Sequence, residues 1–313
     1  MGNASGNDFL IIIPTLKNKA IYLGYAFAIF ATIIWSGNFI IARNLHESIP
    51  PVSLAFWRWV VAVIVFLPFA LKALISQWHI IKKHLLYLSI TSILGVTIFN
   101  TLIYFAGQTT TAINLSLISI TFPVFIVILS RIFLKETITL FKSLGIVIVI
   151  VGVLMLISKG DIAMLINTSF VIGDFWMLLA SIIFATYSIL IKNKPKSLNI
   201  LSFQLVTFIL GLLFLFPFYI WEYISTPNIK FNITIIASIL YVGIFASLVA
   251  FVLWNKAITS IGAVKSGLIY YTLPLFSGLL AFIFLNEEIT ILHFYSMLII
   301  VSGILIANYT VKN

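Results

Sequence analysis

Cysteine is absent from the 313-residue chain, and charged residues make up only 8% of it. Without cysteine there can be no disulfide framework, no thiolate metal site and no palmitoylation, so cysteine usage gives no indication of the redox compartment. Only 8 residues are acidic, whereas 62% are hydrophobic and the mean hydropathy is +1.20. Soluble globular domains do not have this composition, which is typical of a chain that lies in a lipid bilayer.

Long apolar runs recur along the sequence and predict an all-α polytopic membrane protein with ten transmembrane helices. Each run has about 17 to 23 residues, which is enough to cross a hydrocarbon core of roughly 30 Å at about 1.5 Å per residue. A β-barrel is not expected, because the runs are unbroken and do not alternate in polarity. The predicted spans are 21–42, 53–71, 85–105, 112–134, 141–157, 170–191, 200–220, 233–254, 263–285 and 291–309.

The net charge of +10 belongs to the loops and does not indicate a nucleic-acid partner. If the N-terminus is cytoplasmic, thirteen lysines and arginines fall on the cytoplasmic side, and only Arg43, Lys159 and Lys230 fall outside. This positive-inside bias predicts a cytoplasmic N-terminal tail at 1–19 and a cytoplasmic C-terminus. The basic residues are therefore expected to orient the chain and to contact the anionic head groups of the bilayer.

The second half of the sequence repeats the first at an offset near 150 residues. Thirteen of 28 positions are identical between 112–139 and 263–290, including the pairs Pro123/Pro274, Glu136/Glu287 and Thr121/Thr272. Matched proline, glutamate and threonine at one offset are hard to explain by chance similarity between two apolar helices. The sequence therefore predicts an internal duplication.

The duplication predicts a first five-helix repeat at 20–158 and a second at 170–310. Because each repeat has an odd number of spans, the second begins on the opposite side of the membrane and is inverted. Inverted repeats around a central cavity are the architecture that opens one site alternately to either side.

These residues resemble the EamA-type transporters of the drug/metabolite transporter superfamily. The resemblance covers about residues 20–310 and depends on the Trp-Ser-Gly-Asn-Phe stretch at 35–39, on Arg58, and on the two Pro…Phe-Leu-x-Glu-x-Ile-Thr signatures that end at Thr139 and Thr290. It implies a basket of ten helices with a cavity lined by the first, third, fourth, sixth, eighth and ninth spans. It also implies export of amino acids, nucleotide-related metabolites or toxic organic compounds from a bacterial inner membrane.

Polar and aromatic side chains in or near the spans are the predicted substrate contacts. They are Trp35, Asn38, Asn100, Tyr104, Tyr187, Trp254, Lys265 and Tyr270. Interhelical hydrogen bonds, core packing and aromatic belts at the membrane surface are the structural alternatives for these residues. The repeat aligns Asn38 with Tyr187 and Tyr104 with Asn255. Lys265 either snorkels to the membrane surface or binds a substrate carboxylate.

Five further residues are predicted to have structural or gating roles. Pro123 and Pro274 each remove a backbone hydrogen bond and should kink or break their helices near the cavity. Arg58 should reach water by snorkelling or bind a carbonyl of a neighbouring helix. Glu136 and Glu287 each precede a threonine that is the expected N-cap of the next span, so they should anchor these loops and compensate the helix dipoles.

A carrier for carboxylate-bearing or aromatic small molecules, such as amino acids, is the preferred function, with no cofactor or metal. Strict proton/cation antiport is disfavoured, because no carboxylate is expected at mid-membrane. Export of drug-like compounds and translocation of a lipid-linked polar group are the alternatives within transport. An enzyme, a receptor or a channel is less favoured, since the sequence has neither a catalytic motif nor a continuous polar stripe. The small residues Gly303 and Ala307 form a face suited to close helix packing within one chain or between the subunits of a homodimer.

Overall fold

The computed structural model of the chain describes residues 7–110, 115, 118–158, 161, 163, 171–226, 229, 231–285 and 291–309. Every regular element within those ranges is a helix. Within the described ranges six helices are long and apolar enough to cross a membrane, and shorter apolar helical stretches lie at Thr121–Phe133, Leu140–Met155 and Phe294–Asn308. Because a helix pairs its own backbone groups, such segments can lie in lipid, and the chain is a polytopic helical membrane protein.

The described helices follow the order of the predicted spans, and residues 112–114 and 116–117 of the predicted fourth span lie outside the described residues. The first half contains α1 (Asn7–Asn44), α2 (Pro51–Ser76), the short α3 (Trp78–Lys83), α4 (Leu85–Thr109), α5 (Thr121–Phe133) and α6 (Leu140–Ile157). The second half contains α7 (Ile172–Lys192), α8 (Ile200–Ser225), α9 (Ile233–Ile261), α10 (Ala263–Tyr270), α11 (Leu273–Leu285) and α12 (Ile291–Asn308).

The predicted ninth span differs from one continuous helix, because it is divided into α10 and α11. Pro274 is the second residue of α11, and its repeat partner Pro123 is the third residue of α5. The first turn of a helix accepts proline readily, since its N–H groups have no intrahelical acceptor. Each proline therefore lies just after a helix start.

The threonines beside these prolines make equivalent hydrogen bonds. The Thr121 hydroxyl donates to the carbonyl of Ile118 at 2.6 Å, and the Thr272 hydroxyl donates to the carbonyl of Ile269 at 2.7 Å. Each bond runs back to a carbonyl three residues earlier in the chain, and the Ile269 carbonyl also accepts the Thr272 backbone nitrogen at 2.9 Å.

α4 and α9 each contain a π-helical segment, at Ile93–Ile98 and Val242–Val249. The 151-residue offset that aligns Tyr104 with Asn255 places the second segment over positions 91–98, so the two segments overlap. π-Helical turns are rare and are found most often at functional sites.

Two tryptophans bind carbonyls within these π segments. Trp59 Nε1 of α2 donates to the carbonyl of Val96 at 3.0 Å, and Trp35 Nε1 of α1 donates to the carbonyl of Ala246 at 2.9 Å. The two indoles thereby connect α2 to α4 and α1 to α9 at their irregular turns.

Each half of the chain packs mainly against the other half. α1 packs against α9, α10 and α11, whereas α7 packs against α4 and α5; α2 packs on α8, and α6 packs on α12. The same neighbours therefore recur when a helix is replaced by its counterpart in the repeat.

The small residues of α6 and α12 pack against one another within the same chain. A Cβ atom added at Gly145 would lie 2.4 Å from the Ala307 nitrogen and 2.5 Å from the Gly303 carbonyl oxygen. The two backbones are in direct contact there, so this small-residue face is covered and does not indicate a homodimer.

The bundle has two ends, which are named here after His46 and Lys192. At the His46 end α1 and α4 finish and α2 begins, and Gln108 Nε2 donates to the His46 carbonyl at 3.0 Å. At the Lys192 end α7 and α9 finish and α8 begins. The Tyr25 hydroxyl donates to Asn308 Oδ1 at 3.4 Å, so the beginning of the apolar part of α1 lies beside the end of α12.

Candidate functional site

Six aromatic side chains from α1, α5, α7, α9 and α10 pack together between the two ends, and we name them the aromatic cluster. They are Trp35, Phe122, Phe184, Phe251, Trp254 and Tyr270. The ring centroid of Trp35 lies 5.2 Å from that of Trp254 and 6.3 Å from that of Tyr270. The structure thus brings together three of the predicted substrate contacts in a buried surface suited to stacking on an aromatic or apolar group.

Four polar side chains from α1, α2, α4 and α9 form a hydrogen-bonded group that we name the Arg58 network. Arg58 Nη1 donates to the Tyr104 hydroxyl at 2.6 Å, and Arg58 Nε donates to Ser247 Oγ at 2.6 Å. The Tyr104 hydroxyl donates in turn to Asn38 Oδ1 at 3.2 Å. Ser247 Oγ donates to the carbonyl of Val242 in the π segment of α9 at 2.8 Å. The network therefore ties four helices together.

Arg58 does not snorkel to water, since its side chain is 0% exposed. Its described partners are side chains of neighbouring helices, and the carbonyl oxygen among them is Oδ1 of Asn38, 3.5 Å from Nη1. The guanidinium also lies over the rings of Trp59, at 5.4 Å, and Tyr104, at 5.5 Å. Nη2 has no hydrogen-bond partner within the described part of the chain.

Three polar side chains from α7, α8 and α9 form a second group, which we name the Tyr187 network. The Tyr187 hydroxyl lies 3.1 Å from Asn255 Oδ1 and 2.9 Å from Asn255 Nδ2. Asn255 Nδ2 also donates to Gln204 Oε1 at 2.6 Å. All three side chains are buried and none is charged.

The two networks contain the same phenol–amide pair with its members exchanged. In the first half Asn38 of α1 pairs with Tyr104 of α4, and in the second half Tyr187 of α7 pairs with Asn255 of α9. Asn38 aligns with Tyr187 in the repeat, and Tyr104 aligns with Asn255. The amide and the phenol have therefore changed places, while the contact between the corresponding helices is kept.

The aromatic cluster lies between these networks. Along α9, Ser247 of the Arg58 network comes first, followed by Phe251, Trp254 and then Asn255 of the Tyr187 network. The helical rise of about 1.5 Å per residue separates Ser247 from Asn255 by about 12 Å. Trp35 lies one turn before Asn38 on α1. The Arg58 network is on the His46 side of the cluster and the Tyr187 network is on the Lys192 side.

A cavity of about 670 Å³ lies at the His46 end, and we name it the His46 cavity. Polar groups that line it include His46, Glu47, Gln108, Glu222 and Asn232. Glu222 accepts hydrogen bonds from the backbone nitrogens of Val52 and Ser53, at 3.1 and 2.6 Å, and therefore caps the start of α2. Among the described lining residues there are two glutamates and no lysine or arginine.

A smaller cavity of about 180 Å³ lies at the Lys192 end, and we name it the Lys265 cavity. Its described lining contains three lysines, Lys142, Lys192 and Lys265, and one carboxylate, Glu136. No lysine in this described lining has a described carboxylate oxygen within 4.0 Å. Lys265 therefore lines a basic cavity whose described lining contains no member of the aromatic cluster.

The remaining predicted residues are less closely grouped. Asn100 is buried, and its Nδ2 contacts the Gly95 carbonyl of its own helix at 3.5 Å. Glu136 lines the Lys265 cavity, beside Thr139, whose Oγ1 accepts from the Lys142 nitrogen as an N-cap of α6. Glu287 lies outside the described residues.

Tyr104 and Trp254 do not belong to aromatic belts, since their exposed fractions are 1% and 0%. Sequence reasoning missed Ser247 and Gln204, which complete the two networks. Serine and glutamine within apolar spans were the available signal, because a buried polar group in a membrane needs a partner.

The family model of the EamA-like transporter family matches residues 22–158 and, a second time, residues 171–309. An uncharacterized transporter of Archaeoglobus fulgidus is 28% identical over 264 residues, which cover 82% of this chain and 87% of that protein. The uncharacterized transporter YyaM of Bacillus subtilis is 25% identical over 283 residues, covering 90% of this chain and 92% of that protein. A solved crystal structure with 16% identity has a TM-score of 0.73 and covers 93% of this chain and 96% of that one, which is a likeness of fold alone.

Proposed function

The chain belongs to the EamA-like transporter family, and from this membership we propose that it is a secondary transporter that moves small metabolites by alternating access. The proposed architecture has ten spans in two inverted five-helix repeats, at 20–158 and 170–310. The double match of the family model, the exchanged helix contacts and the overlapping π segments support this architecture. Inverted repeats allow each half to adopt the conformation of the other, which moves the opening from one side to the other.

The exchanged phenol–amide pair is the observation that carries the proposed mechanism. We assign the Arg58 network as the gate toward the His46 cavity and the Tyr187 network as the gate toward the Lys265 cavity. Both networks are hydrogen-bonded and the aromatic cluster between them is buried, so the conformation corresponds to an occluded state. Opening one network while the other stays closed would expose the cluster to one side only.

Trp35, Trp254 and Tyr270 form the proposed wall against which the substrate packs. Asn38, Tyr104 and Tyr187 would contact its polar group when a network opens, and Asn100 lies on α4 between the π segment and Tyr104. The Pro123 and Pro274 helix starts are proposed hinges for α5 and α11. A stacking surface flanked by hydrogen-bonding groups suits amino acids and related carboxylate-bearing or aromatic compounds.

The charge difference between the two cavities supports export. We place the Lys192 end and both termini in the cytoplasm, because that end carries most of the basic residues of the described chain. The lysines of the Lys265 cavity would attract anionic substrates there, whereas Glu47 and Glu222 of the His46 cavity would repel them after release. Lys265 would thus attract the substrate into the Lys265 cavity, and the substrate would then bind at the aromatic cluster.

Counterflow in proteoliposomes tests this proposal. The purified protein is reconstituted, and exchange of a labelled panel of amino acids, other carboxylates and drug-like cations is followed with and without a pH gradient. We expect saturable exchange of carboxylate-bearing compounds, with a Lys265→Gln variant showing a higher KM and a nearly unchanged maximal rate. A variant with Lys82→Gln, which alters an exposed lysine outside the cavity, serves as the control.

Two outcomes would contradict particular parts of the proposal. Exchange restricted to drug-like cations would reverse the substrate class, and loss of maximal rate in Lys265→Gln would place this lysine in the transport step itself. The absence of saturable exchange for every compound would contradict the transport of small metabolites.

A further inference from the structure

Arg58 is a fully buried cation that is held only by neutral groups in the described structure. No described carboxylate oxygen lies within 4.0 Å of its nitrogens. The two buried carboxylates in spans near the His46 end are already engaged, Glu222 at the start of α2 and Asp174 with Thr110 and the backbone of Val171. Buried charges in proteins are normally paired, because removing a charge from water is costly.

The hydrogen bonds of the guanidinium leave one edge of its fork available. Nε is occupied by Ser247, and Nη1 contacts Tyr104 at 2.6 Å and Asn38 at 3.5 Å. Nη2 has no partner among the described residues and is fully buried. A carboxylate binds arginine through two parallel N–H···O bonds, which here would use Nη2 and Nη1.

We propose that Arg58 binds the carboxylate of the transported molecule and that this binding opens the Arg58 network. The inference rests on the proposed transport function and adds the residue that recognises the substrate. The carboxylate replaces the Tyr104 hydroxyl as the acceptor of the Nη1 hydrogen bond. Arg58 of α2 then no longer connects to α4 through Tyr104 or to α1 through Asn38. Substrate binding and opening toward the His46 cavity are thereby one event.

The surroundings of Arg58 define the rest of the ligand. Trp59 packs its ring against Phe251 of the aromatic cluster, with centroids 5.3 Å apart. A ligand whose carboxylate reaches Arg58 therefore has aromatic surface beside it, which favours an apolar or aromatic body on the carboxylate. The Tyr187 network has no cation among its members, so recognition of the charge belongs to one gate only.

Matched acid and amide probes test the inference. Counterflow is measured with N-acetyl-L-phenylalanine against N-acetyl-L-phenylalaninamide, and with L-phenylalanine against L-phenylalaninamide, after subtraction of leakage into protein-free liposomes. We expect the wild type to exchange at least one acid 10-fold or more faster than its amide. Arg58→Gln should lower acid exchange at least 10-fold, to the rate of the amide, and Arg58→Lys should be intermediate. Lys82→Gln, the control that removes an exposed cation outside the Lys265 cavity, should keep the preference for the acid.

The outcomes separate this inference from the transport proposal. Amides exchanged as fast as acids by the wild type, or an acid preference kept by Arg58→Gln, would overturn the role of Arg58 while transport stands. The absence of exchange for all four probes would overturn the inference together with the proposed substrate class. Where Arg58→Gln does not fold, Arg58→Lys supplies the test, and an acid preference equal to that of the wild type in this variant would overturn the role of Arg58.

Discussion

The two polar networks share a phenol–amide pair, but only one of them contains a charge. Asn38 and Tyr104 are joined by Arg58, whereas Tyr187 and Asn255 are joined by Gln204. The pair follows the repeat, while the third member does not, since the position 149 residues after Arg58 is Thr207. The phenol–amide contact is therefore common to the two networks, whereas the cation occurs in one of them.

This difference separates two properties of the site. The symmetric part, the phenol–amide pair with the π segments and the proline helix starts, suits the movement that the proposed alternating access requires of both halves. The asymmetric part, Arg58 with the acidic and basic cavities, suits the recognition of a charged molecule and the direction of its passage. Variants should therefore alter movement and recognition to different extents in the two networks.

Gly95→Val should have the largest effect, because it displaces Tyr187 without changing a hydrogen-bonding group. A Cβ atom at Gly95 would lie 2.4 Å from the Cδ2 and Cε2 atoms of the Tyr187 ring. The ring must move away from position 95, which disturbs its hydrogen bond with Asn255, and overpacking of this kind costs about 1–3 kcal/mol. We expect at least 10-fold slower counterflow and a lower unfolding midpoint in detergent.

The double variant Gly95→Val/Tyr187→Ala controls for a general effect of valine in the π segment. Removing the ring relieves the overlap, so the double variant should be more stable than the sum of the single effects implies. Additive losses of stability would indicate that Gly95 is needed for the π segment and not for the Tyr187 ring.

Tyr104→Phe should destabilise the protein more than Tyr187→Phe. The first change removes a bond to a buried cation, which is worth about 2 kcal/mol, and the second removes a neutral bond worth about 1 kcal/mol. The two variants are matched, since each removes one hydroxyl at one side of the cluster. Unfolding midpoints followed by tryptophan fluorescence measure the difference, and a larger loss in Tyr187→Phe would reverse the proposed contrast between the networks.

Thr121→Val and Thr272→Val should have the smallest effects, and the two effects should be equal. Each variant removes one hydroxyl bond to a carbonyl three residues earlier, and such bonds in membrane helices are worth about 0.6 kcal/mol. The same unfolding assay applies. Unequal losses would mean that the two proline helix starts have lost their equivalence.

Much of the fold follows from the sequence, because apolar runs and proline determine it locally. The order of the helices agrees with the predicted spans, and the helix starts at Pro123 and Pro274 reflect the missing N–H of proline. The π segments could not be predicted, since their residues are as apolar as those of the adjoining α-helical turns and the extra residue per turn leaves no compositional signal.

The sequence predicts several residues of the candidate site, but it does not predict which of them contact one another. Alignment of the repeat put Asn38 opposite Tyr187 and Tyr104 opposite Asn255, but it did not give the pairing of Asn38 with Tyr104 across two helices. The partners of Arg58 depend on which faces of α1, α2, α4 and α9 meet, a property of tertiary packing. The sequence predicts the depth of Lys265 in its span but not the cavity that its side chain lines.

Spin-label distances test most directly whether the two networks are opposite gates. The chain has no native cysteine, so cysteine pairs can be introduced into the wild type, one at Glu47 and Thr234 at the His46 end and one at Lys142 and Lys192 at the other end. We expect Tyr104→Phe to lengthen the distance only at the His46 end and Tyr187→Phe to lengthen it only at the Lys192 end. If both variants lengthen the same pair, or neither changes either pair, the networks are not the two gates of an alternating-access transporter.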